Sequence, residues 1–62
     1  MIELTTLGGK RIWVNQELIR TVESAPDTIL CMTDGTRMPV RETPEEIRTK
    51  IIQFKKEVLS GV

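Results

Sequence analysis

IRTVESAPDTILCMTDGTRMPVRETPEE, running from Ile19 to Glu46, decides the fold of this chain. Ala25-Pro26-Asp27-Thr28 reads as a β-turn, because Pro26 presets φ and Asp27 can bond the backbone beyond it. Asp34-Gly35, set between Thr33 and Thr36, reads as a two-residue hairpin loop of the type that needs φ > 0 at both central positions. Thr43-Pro44-Glu45-Glu46 combines an N-cap, a proline at the first helical position and a capping-box glutamate. These residues specify architecture. None of them specifies chemistry.

Working outward, Ile2 and Leu4 alternate with Glu3 and Thr5 as a half-buried strand, and Gly8-Gly9 makes the reversal. Arg11 to Val14 forms a second strand with Ile12 and Val14 on one face and Trp13 on the other. Asn15-Gln16-Glu17 is a polar break, a single turn that delivers Leu18 and Ile19. Further strands follow over Ile19–Glu23, Thr28–Thr33 and Thr36–Val40, and Pro39 belongs at an edge or a bulge because it cannot donate to a ladder. The helix runs from Pro44 to Leu59, with Gly61 as a left-handed stop. Ile47, Ile51, Phe54 and Val58 make one apolar stripe, widened by Ile52 and Leu59. Glu46 and Lys50 are spaced to pair one turn apart, and Lys55 and Lys56 suit the helix dipole. The expected fold class is α+β, an antiparallel β-meander of about five short strands (2–40) with one C-terminal helix (44–59) packed on it. All of it makes one domain, 1–62.

A domain of 62 residues buries only about 60% of the surface its unfolded chain exposes. Small scaffolds add disulfides, a metal or a partner subunit. Cys31 is the single cysteine and histidine is absent, so neither an internal disulfide nor a zinc ligand set is available. Self-association is the device left, and a homo-oligomer is expected. Nine basic and nine acidic side chains give a net charge of zero, which counts against nucleic acid as a partner. No apolar run approaches the ~20 residues of a membrane-spanning helix. Met1 to Thr6 alternates and carries an acid, unlike a signal peptide, and one unpaired thiol fits a reducing compartment. A cytoplasmic protein without membrane insertion is expected.

Catalytic candidates are missing. Without histidine, acid–base work would fall to carboxylates, yet Glu45 and Glu46 belong to the helix start, and Glu23, Asp27 and Asp34 belong to turns. Cys31 lies between Leu30 and Met32 in a strand and reads as a buried, inert thiol. Gly8-Gly9-Lys10 is too short for a phosphate loop and precedes a strand. No enzyme activity, catalytic residue, cofactor, metal or small-molecule substrate is expected. In the fourth strand Ile29 and Cys31 face one way while Leu30 and Met32 face the other. A strand apolar on both sides is either central or offers a face that another chain covers. Trp13, Leu30 and Met32 are therefore the candidate partner or self-association surface, although Trp13 also fits simple core packing. Arg20, Arg37 and Arg41 are candidate anion contacts.

Met1-Ile2-Glu3-Leu4-Thr5, Gly9-Lys10, Asn15, Ile19, the block Val22 to Thr28, Thr33-Asp34-Gly35, Val40-Arg41-Glu42 and a closing helix resemble the FlbD family. These are very short bacterial flagellar proteins, and the family includes the swarming-motility protein SwrD. The resemblance covers almost the whole chain. It implies a cytoplasmic accessory protein of flagellar motility, acting on motor or stator output or on swarming by protein binding at the flagellar base. It implies no catalytic residues. Trp13 and Pro39 stand outside the matching motifs. Ile19 through Val40 is also similar to part of a LytTR-type DNA-binding domain. Regulators of the CsrA type share the size and the opening strand rhythm but not their later motif. A small nucleic-acid-binding regulator using Arg20, Arg37 and Arg41 is thus the alternative.

Overall fold

The computed structural model describes residues 1–60; the expected stop at Gly61 lies outside the described residues. The elements are β1 (Ile2–Thr5), β2 (Arg11–Val14), a single 3-10 turn (Gln16–Leu18), β3 (Ile19–Glu23), β4 (Thr28–Met32), β5 (Arg37–Val40) and α1 (Pro44–Ser60). The fold is α+β, and every strand pairing is antiparallel. The meander divides into a sheet of β1-β2 and a sheet of β3-β4-β5. The break falls at the 3-10 turn. There Asn15 Oδ1 accepts from the Glu17 N–H at 3.1 Å and the Asn15 carbonyl accepts from the Leu18 N–H at 3.0 Å, local bonds that replace ladder bonds. Residues 40–42 rejoin the sheets at the other end. Val40 bridges Thr6, the Arg41 N–H donates to the Thr5 carbonyl at 2.8 Å, and the Thr5 N–H donates to Glu42 Oε1 at 2.8 Å.

Two hairpins close in the same way. At the first, the Thr6 N–H donates to the Lys10 carbonyl at 2.8 Å and the Gly9 N–H donates to the Thr6 carbonyl at 2.9 Å. At the second, the Met32 N–H donates to the Thr36 carbonyl at 2.8 Å and the Gly35 N–H donates to the Met32 carbonyl at 3.0 Å. Gly9 and Gly35 have φ of 95° and 93°. Each loop is a three-residue connection ending in a glycine bulge, so the Asp34-Gly35 loop differs from the two-residue form expected. Positive φ is confined to glycine among the described residues, and Asp34 instead uses its carboxylate to accept from the Thr36 N–H at 2.8 Å. Residues 25–27 form a bend rather than a hydrogen-bonded turn, and the Ala25–Pro26 peptide is cis. Pro39 takes its expected place on the edge strand β5.

Alternation places Ile2 and Leu4 of β1 and Val14 of β2 inward, where they form one buried cluster with Leu30, Val40 and Ile47. Ile12, Ile19, Val22, Met32, Met38, Ile51 and Phe54 pack against it. Each fully buried apolar side chain contributes about 1.5–3 kcal/mol. The helix start forms the full capping box: the Thr43 N–H donates to Glu46 Oε1 and the Glu46 N–H donates to Thr43 Oγ1, both at 3.1 Å. Glu46 is thereby engaged, and the expected Glu46–Lys50 ion pair is not among those within 4 Å. Because the helix reaches Ser60, Lys55 and Lys56 fall before its last turn.

Seventeen residues make a helix about 25 Å long, whereas strands of four or five residues span about 13–17 Å. The helix therefore outruns the sheets. Ile47 is buried, Ile51 and Phe54 are half-buried, and Val58, on the same stripe, is 56% exposed. Leu59 is 78% exposed. The distal turns carry an apolar face with no sheet beneath it.

Candidate functional site

Trp13 lies on β2 directly opposite Glu3 of β1. Its neighbours Ile12 and Val14 point into the core, so the indole projects from the outer face and is 66% exposed. Arg11, two residues away on the same face, approaches Glu3 at 3.8 Å. An indole with one charge of each sign beside it on a two-stranded ribbon makes an exposed, amphipathic surface.

The three residues expected to share a sticky face are not brought together. Leu30 is fully buried at 0% exposure and Met32 packs against the same cluster. Both belong to the side of β4 that meets Ile47, so neither lines an outer surface with Trp13. Alternation sorts β4 into Leu30/Met32 and Ile29/Cys31, but it does not say which set the helix covers. The outer set is Ile29 and Cys31.

That outer face carries a cluster the sequence did not reveal. Cys31 stands opposite Arg37 and Thr21, and Glu23 stands opposite Ile29. Arg37 Nη2 donates to Glu23 Oε1 at 2.9 Å, Arg37 Nη1 donates to Cys31 Sγ at 3.4 Å, and the thiol donates to Glu23 Oε2 at 3.6 Å. The Arg37 guanidinium, by hydrogen bond and by charge, and the thiol hold the Glu23 carboxyl below the usual carboxylate range. The pair roofs the thiol, which is buried. Cys31 has the cationic neighbour that the linear sequence did not place beside it. Counting back from the Thr33-Asp34-Gly35 loop puts residues 31 and 37 opposite each other, which is the signal that finds the cluster.

Two of the three candidate anion contacts already hold partners within the chain. Arg37 is committed to Glu23. Arg41 donates from Nε and Nη2 to the Leu7 carbonyl at 3.1 and 2.9 Å. Arg20 sits exposed at the bulge that shifts the β3–β4 register between Ile19 and Thr21. Among the described residues, no group of three His, Cys, Asp or Glu side chains is placed to hold a metal ion. Nor is any described helix long and apolar enough to cross a membrane.

A second surface lies where the helix outruns the sheets. Gln16, Glu17, Phe54, Lys55, Val58 and Leu59 line a groove of about 260 Å³ between the 3-10 turn and the distal helix. Gln16 is 9% exposed, and its Oε1 has no hydrogen-bond partner among the described residues. A buried acceptor left unsatisfied costs about 1–3 kcal/mol.

A family model described as flagellar and swarming motility proteins matches residues 1–59. Neither the curated proteins nor the solved structures yield a significant match.

Proposed function

The chain belongs to the FlbD family of flagellar and swarming motility proteins, and from that premise we propose that it is a non-enzymatic accessory protein that binds another protein through Trp13. The observation that carries this reading is a tryptophan left largely in solvent on a strand whose other face is core. Tryptophan is over-represented among residues that dominate binding energy, and a paired strand presents it with its backbone already ordered. The ionisable groups displaced from their ordinary values each serve a turn, a sheet junction or an ion pair, which supports binding over catalysis. The place of action in this proposal is the cytoplasmic side of the flagellar base, and the partner is a motor or stator component.

Deleting the gene and following swarming and filament assembly together is the test. Impaired swarming with filaments assembled is expected. Normal swarming in the deletion strain would remove the basis of the proposal. Purified stator and switch components, presented to wild-type protein and to Trp13→Ala, identify the partner as the one whose retention is lost with the indole.

A further inference from the structure

We propose that the groove between the 3-10 turn and the distal helix is the seam of a two-fold symmetric dimer of this chain. The inference stands apart from the motility reading, since it uses neither Trp13 nor any outside partner. Phe54, Val58 and Leu59 supply the apolar floor, and Val58 and Leu59 are largely exposed despite lying on or beside the core-facing stripe. A second copy brings the same floor face to face with it.

The charges of the groove complement themselves. Glu17 lines one wall and Lys55 the other, and neither forms an ion pair within 4 Å of another described residue. A two-fold axis through the groove sets Lys55 of one copy against Glu17 of the other, twice, as an isologous interface requires. An ammonium carries three donors. That is enough to serve both oxygens of the Glu17 carboxylate. A net charge of zero removes the general repulsion that opposes association of like chains.

Light scattering on the full chain across a concentration series tests this. A concentration-dependent dimer is expected. Val58→Asp, a substitution at a solvent-facing position that leaves helical circular dichroism unchanged, raises its dissociation constant about tenfold or more. Trp13→Ala leaves the constant within about twofold. Glu17→Lys and Lys55→Glu each weaken the dimer up to about fivefold, and the double swap recovers it. Three results overturn the proposal: a single-copy protein at millimolar concentration, a dimer indifferent to Val58→Asp, or a double swap no tighter than its singles. Should Val58→Asp unfold the chain, the charge swaps alone decide.

Discussion

Arg41 grips the carbonyl of Leu7 with two N–H groups of one guanidinium, Nε at 3.1 Å and Nη2 at 2.9 Å. The contact crosses 34 residues and ties the end of β5 to the turn that carries β1 into β2. Arg41→Ala is expected to cost about 1 kcal/mol in urea denaturation, the lower end for a charge-assisted bond because the site is exposed. Arg41→Lys recovers only part of it, since an ammonium does not reproduce the two-pronged geometry. Equal stability of all three proteins would show that the ribbon is not held from β5.

Gly9 and Gly8 are adjacent but unequal. Gly9 has φ of +95°, and a Cβ there would also meet the Arg41 guanidinium at 3.5 Å. Around Gly8 the nearest atom is Thr6 Oγ1 at 3.9 Å. Gly9→Ala should lose about 1–2 kcal/mol and Gly8→Ala should be neutral or slightly stabilising. Thermal midpoints of the two variants check the contrast.

Leu30 and Trp13 separate packing from surface. Leu30→Ala should cost about 2–5 kcal/mol, enough to unfold much of so small a domain. Trp13→Ala should stay within about 0.5 kcal/mol of wild type. Were Leu30→Ala as stable as wild type, Leu30 would belong to an outer face after all.

Acid sensitivity follows from three carboxylates held below their ordinary range. Glu23 is lowered by Arg37, and Asp34 by the Thr36 backbone N–H. At Glu42 burial pulls upward, but hydrogen bonding to Thr5 and the charge of Lys50 outweigh it. A depressed folded-state pKa gives stability that is fully present above the unfolded value and lost as pH falls through the folded one. The denaturation midpoint should therefore be flat near neutrality and decline as pH drops through and below the usual carboxylate range. Glu42→Gln should flatten that decline.

The backbone pattern was legible because each signal was local. Thr43-Pro44-Glu45-Glu46 carries every group the helix start uses, and the strand limits follow alternation to within a residue. What escaped depends on choices between distant parts. Both faces of β4 are apolar, so only the docking of Ile47 decides that Leu30 is interior. Asp34-Gly35 suits two loop lengths, and the bonds around Met32 and Thr36 select the longer. Trp13 was legible as an outward residue. Its lack of cover emerges only when β1, the remaining element beside it, turns Glu3 rather than a hydrophobic side chain to that face. The sheet break at Asn15 and the overhang at Val58 are set by how lengths fit together, not by any one motif.

The swarming rate of a deletion strain expressing Trp13→Ala at wild-type protein level tests the central claim most directly. The account predicts filaments of normal number and a swarming defect close to that of the deletion itself. Full swarming by Trp13→Ala would contradict it, because the exposed indole would then have no part in what this protein does.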